Sequence, residues 1–166
     1  MGTLLMKKTI YYSERQRFNQ WWVWGSAFLG PVLLFLPLVG LILSGASYIV
    51  LLLIFILTFW LPIFLYCIHL DTEVNEYGVF VKFRFFHRSW VEFSFHEIES
   101  VEACTYKPIK HYGGWGIRYG LKGKAYNVSG NEGVLINFKD GTNILIGSSN
   151  HEALQLAIHE RLNTNF

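Results

Sequence analysis

From Trp21 to Ile68 the chain has no Asp, Glu, Lys, Arg or His. That gap excludes an ordinary amphipathic element of a soluble domain, which keeps polar and charged residues on its outer face. It also leaves the run without an acidic, basic or histidine side chain to relay protons or ions, which disfavours transport by this chain alone. Cysteine is scarce: Cys67 and Cys104 are the two present, and they form no spacing pattern. This argues against a disulfide framework and fits a reducing compartment. Beyond the apolar run, an excess of either charge is missing. Residues 70–166 hold ten Lys and Arg against eleven Asp and Glu, so there is no basic footprint for nucleic acid.

What fills the gap is two long apolar runs, Trp21–Leu43 and Tyr48–Ile68, separated by Ser44-Gly45-Ala46-Ser47. A bilayer core of about 30 Å needs roughly 20 apolar residues per helix, and each run is long enough. So short a break predicts an antiparallel hairpin with both ends on one side of the membrane. The first run is too long for a cleaved signal peptide and a second follows it, so it is expected to stay in the protein. Lys7, Lys8, Arg15 and Arg17 precede the hairpin and Lys82, Arg84 and Arg88 follow it, while the inter-helix break has no basic residue. Basic residues near a span favour the cytoplasmic side, so the expected location is the cell membrane, two-pass, with both termini cytoplasmic. Trp21, Trp22, Trp24 and Tyr66 are the expected interfacial anchors. Pro31, Pro37 and Pro62 fall inside the runs, where membrane helices tolerate them.

The predicted organisation is a lead and pre-helix over 1–20, the hairpin over 21–69 and a cytoplasmic domain over 70–166. Ser13 with Gln16 has capping-box form and predicts a helix that starts there and runs into Trp21. From Asp71 onward the pattern alternates with a period of two. Val79, Val81, Phe83 and Phe85 alternate with Phe80, Lys82, Arg84 and Phe86, and Val91, Phe93 and Phe95 resume the pattern. Further strands are expected from Ile98 to near Lys107-Pro108, at Trp115–Tyr119, and at 124–129, 133–139 and 142–147. Tyr77-Gly78 and Asp140-Gly141 are hairpin turns. Ser149 with Glu152 makes a second capping box, and Ala153, Leu154, Ala157, Ile158, Arg161 and Leu162 recur at helical spacing. The expected fold is therefore a membrane α-helical hairpin followed by a mainly antiparallel barrel of about seven strands, capped by a C-terminal α-helix.

In its aromatic strand ending at Phe95-His96-Glu97-Ile98-Glu99-Ser100-Val101, its Gly113-Gly114-Trp115-Gly116-Ile117-Arg118 run, its Asp140-Gly141 hairpin and its closing helix, the chain resembles bacterial membrane proteins with a two-helix hairpin and a cytoplasmic pleckstrin-homology-like (PH-like) domain. The resemblance covers roughly residues 70 to 162 and implies a PH-like barrel acting as a binding or assembly module, with no catalytic residue to carry over. Phosphoinositide-binding PH domains place basic side chains around the loop between their first two strands. Here that turn is Asn75-Glu76-Tyr77-Gly78, which brings an acid. Lys82 and Arg84 on the next strand are the candidate lipid-headgroup contacts, although such a pair is more often simply the solvated face of a strand.

Catalytic patterns fail on inspection. Gly123-Lys124 has Arg118 where a phosphate loop needs glycine and Ala125 where it needs Ser or Thr; Gly114, Gly116 and Gly120 miss dinucleotide spacing by one residue. His151-Glu152 and His159-Glu160 stand eight residues apart, which is not a metal-ligand pattern. Cys104 lies in a strand-like segment as a small hydrophobe, there is no Gly-x-Ser-x-Gly elbow, and Asn127-Val128-Ser129 reads as a chance sequon. No cofactor is expected. The leading expectation is a non-catalytic module at the cytoplasmic face whose partners are the bilayer and either a protein or a second copy of itself. Tyr112, Trp115, Arg118 and Tyr119 are the candidate contacts, since aromatics and Arg dominate interfaces; core and rim packing would use the same residues. The alternatives are a membrane-surface enzyme built on Cys104 and His111, a lipid-interacting sensor, and an accessory subunit of a transporter.

Overall fold

The computed structural model describes residues 9–120 and 123–164. They divide into two units: one is 18–68, and the other joins the described residues up to Arg17 to those from His69 onward. In the first unit, α1 (Trp21–Leu43) and α2 (Tyr48–Cys67) are each long and apolar enough to cross a membrane. The break between them is built for a reversal. Gly45 takes a left-handed φ of 75°, the Gly45 and Ala46 amides donate to the Ile42 and Leu41 carbonyls, and the Ser47 hydroxyl accepts from the Ile49 amide. Large apolar side chains such as Leu36 and Leu57 stand exposed along both helices.

The second unit is a sandwich of two open sheets. β1 (Ile10–Arg17), β2 (His69–Asn75), β3 (Gly78–Phe83) and β4 (Val91–Ser94) form an antiparallel sheet in that order. β5 (Ile98–Thr105), β6 (Gly116–Gly120), β7 (Gly123–Asn127), β8 (Glu132–Phe138) and β9 (Asn143–Gly147) form the other, in the order β5-β8-β9-β7-β6. Every pair is antiparallel except β7 with β9. In place of the expected single barrel of about seven strands there are nine strands in two separate sheets, neither closed on itself. A short helix α3 (Pro108–Tyr112) and the closing helix α4 (His151–Thr164) complete the unit.

Three local expectations are corrected. The helix expected from Ser13 is strand β1, paired with β2 from Arg17 opposite His69 to Ile10 opposite Asn75. Its period-two positions are polar, which hid it: the Gln16 side-chain amide donates to the Gly147 carbonyl at 2.5 Å, and Glu14 accepts from the Ser148 hydroxyl at 2.6 Å. Next, β3 stops at Phe83, because the Phe86 and His87 amides both donate to the Phe83 carbonyl and close a turn, with Phe85 at φ 72°. Finally, α4 starts one residue later than the capping box predicts. Asn150 accepts from the Ala153 amide, while Ser149 is engaged by Glu14.

The core follows from the alternation. Val79, Val81 and Phe83 of β3 point inward with Leu70 and Val74 of β2, Val134 and Ile136 of β8, and Ile146 of β9. Leu154, Ile158 and Leu162 lie four residues apart on α4 and are buried, with the helix packed on β5 and β8 and reaching β1 and β2. Burying each such side chain contributes about 1.5–3 kcal/mol.

Candidate functional site

β4 is the outer strand of its sheet, paired with β3 alone. Beside it an open groove of about 560 Å³ lies between β4 with the turn after it and the β8–β9 hairpin. Phe93, Phe138 and Ile144 are its apolar lining, and Glu92, His96, Glu97, Lys139 and Asp140 its polar one. The Phe93 ring stands 5.7 Å from that of Phe138 and 6.2 Å from that of Tyr126, so the lining continues into the core. The two walls are tied by the Lys139 amide donating to the Glu97 carbonyl at 2.9 Å. In the hairpin, the Asp140 carboxylate accepts from the Thr142 amide and hydroxyl, which hold it below the usual carboxylate range. Gly141 supplies the required φ of 82°. Three carboxylates against one lysine give the rim a negative bias, which is complementary to cationic or hydrogen-bond-donating groups.

The residues expected from sequence to make partner contacts are dispersed in character. Tyr112 is buried and packs against Tyr106, ring centroids 6.0 Å apart, so core packing accounts for it. Trp115 is half-buried and donates its indole N–H to the Gly130 carbonyl at 2.9 Å. Arg118 is exposed, with Nε donating to the Trp115 carbonyl. Tyr119 is 77% exposed, and the Lys124 ammonium lies 5.3 Å from its ring centre. Lys82 and Arg84 do not share a strand face: Lys82 stands opposite Asp71 in β3, and Arg84 lies past the strand end, its amide on the His69 carbonyl. Trp21, Trp22 and Tyr66 are exposed, and Trp24 is half-buried with its indole N–H on the Phe18 carbonyl. Lys7 and Lys8 lie outside the described residues.

Cys104 packs against Tyr106, Tyr112, Ala125 and Leu145. In that surrounding, burial pushes the Tyr106 phenol up to about 12, a setting that disfavours charge. His111 accepts at Nδ1 from the Lys107 amide within α3's first turn. His151 pairs with Glu132 at 3.4 Å, and no group of three or more metal-ligating side chains occurs among the described residues. Asn127 of the sequon is fully buried and accepts from the Gly116 amide, a structural role.

The groove escaped sequence reasoning because its walls come from segments some forty residues apart. The one local signal was Phe93, an aromatic at an inward position of a strand whose neighbours Glu92 and Ser94 are polar. Comparison with protein-family models, with curated proteins and with solved structures finds no match to this chain.

Proposed function

We propose that the chain is a membrane-anchored, non-catalytic binding module: α1 and α2 hold it in the cell membrane, and the β-sandwich binds a polypeptide partner, or a second copy of the chain, at the cytoplasmic face. The anchoring part is supported by two adjacent spans free of Asp, Glu, Lys, Arg and His, and the sidedness by basic residues flanking the hairpin and missing from its break. The observation that carries the binding part is the groove beside β4, an apolar lining with an acidic rim next to an outer strand. Such a strand offers backbone donors and acceptors to an added chain segment, with side-chain pockets supplying selectivity. The PH-like resemblance fits a binding role and rests on the quoted residues alone.

The test places a photo-crosslinking residue at His96 or Thr142 in the groove, and at Glu160 on α4 as reference, in the intact protein in its native membrane. The expected result is an adduct of one defined mass from the groove positions only, and a particle in mild detergent heavier than one chain by that mass. A strictly monomeric particle without groove-specific adducts would overturn the proposal. The enzyme reading on Cys104 has no supporting geometry of its own.

A further inference from the structure

The turn joining β3 to β4, residues 84–90, has the sequence Arg-Phe-Phe-His-Arg-Ser-Trp. Phe85 and Phe86 are each 62% exposed and Trp90 39%, and Arg84 and Arg88 are exposed beside them. Isolated exposed apolar residues need no explanation, but three aromatics in one turn with two arginines do. The turn is also held in shape. The Phe86 and His87 amides donate to the Phe83 carbonyl, and the Phe83 amide donates to His87 Nδ1 at 3.2 Å. The His87 ring packs edge-on against Tyr126. Within this frame Phe85 sits at φ 72°, the one described non-glycine residue with positive φ. A bulky side chain disfavours that conformation, so the fold keeps Phe85 outward where glycine would sit more easily.

The location gives the exposed rings a destination. β3 ends at Phe83 opposite Leu70, and the Arg84 amide donates to the His69 carbonyl at 2.9 Å. His69 is also opposite Arg17. Arg17 is followed directly by Phe18 and His69 preceded by Ile68, the two ends of the helical unit. The turn therefore belongs to the same end of its sheet as both chain connections to the apolar helices. The opposite end is formed by the β2–β3 turn, where exposed Tyr77 follows the acid Glu76.

We propose that the 84–90 turn is a membrane-contact site, with Phe85, Phe86 and Trp90 seated at the headgroup level of a bilayer and Arg84 and Arg88 on anionic lipid phosphates. It rests on the reading that α1 and α2 span that bilayer. Aromatic rings favour the membrane interface, a negatively charged leaflet attracts juxtamembrane arginine, and continuity of the chain with the spans keeps the turn at high local concentration near lipid. The site gives the β unit a lipid attachment beyond its two covalent links.

The test uses the full chain with Cys67 and Cys104 replaced by Ala and a single fluorophore-labelled cysteine at Phe86→Cys, Tyr77→Cys or Leu57→Cys, in vesicles of mixed phosphatidylcholine and phosphatidylserine. Spin-labelled lipids report contact by quenching. The expected result is quenching at Phe86→Cys about threefold or more above that at Tyr77→Cys, lowered by Arg84→Gln with Arg88→Gln or by pure phosphatidylcholine. Leu57→Cys in α2 reports the spans independently. Strong quenching there with Phe86→Cys no higher than Tyr77→Cys overturns the contact site alone. Absence of quenching at Leu57→Cys overturns the spans, and the contact site with them.

Discussion

Phe85 and Phe83 are two residues apart and obey opposite rules. Phe83 is 1% exposed in the sandwich core, and its truncation to Ala is expected to cost about 3–5 kcal/mol. Phe85 is exposed and held at φ 72°, where a side chain costs about 1–2 kcal/mol. Phe85→Gly removes that cost and adds about 0.4–1 kcal/mol of unfolded-chain freedom. The thermal midpoint of the intact protein in detergent is therefore expected to hold or rise in Phe85→Gly and to fall by many degrees in Phe83→Ala. A large loss in Phe85→Gly would mean that its ring is a packing element. The strict alternation Val79, Val81, Phe83, Phe85 made the two phenylalanines look alike in the sequence. What separates them is the pair of amide bonds to the Phe83 carbonyl, set by the turn and by His87, a feature without a period-two signature.

At the scale of elements, the strands with apolar inward faces and the closing helix were legible, because Val, Ile and Phe alternation and the Leu154, Ile158, Leu162 spacing report burial directly. β1 was not, since it is bound in through Tyr12, Glu14 and Gln16 instead of through apolar contacts. Glu14 is the centre of that attachment. Burial pushes its carboxyl up, but hydrogen bonds from Ser148, Ser149 and Tyr12 outweigh burial and leave it below its ordinary value of 4.5. Its contribution to stability is thus fully present above that value and is lost as pH falls through the lower folded-state value. Glu14→Gln is expected to cost about 1–2 kcal/mol at neutral pH, toward the lower end because the group is only half-buried. Thermal unfolding across pH should show the gap between parent and variant narrowing in acid; a gap independent of pH would remove Glu14 from its place between β1 and the start of α4.

For the whole molecule, the hairpin and the sandwich carry separate information. The two long apolar helices were legible, because a long gap in charge is a one-dimensional signal. The two-sheet arrangement and the groove beside β4 were not, because they depend on which strands become neighbours: β7 lies parallel to β9 and the sheet order is β5-β8-β9-β7-β6, neither of which alternation encodes. The central claim is that α1 and α2 cross a membrane as a hairpin and hold the sandwich on one side of it. The direct measurement is labelling of single cysteines in sealed, oriented membrane vesicles by an impermeant thiol reagent, with Ser44→Cys in the inter-helix break and Glu160→Cys on α4, each in a background lacking Cys67 and Cys104. The account predicts that Glu160→Cys reacts only from the cytoplasmic face and Ser44→Cys only from the opposite one. Reaction of both positions from the same face would contradict it.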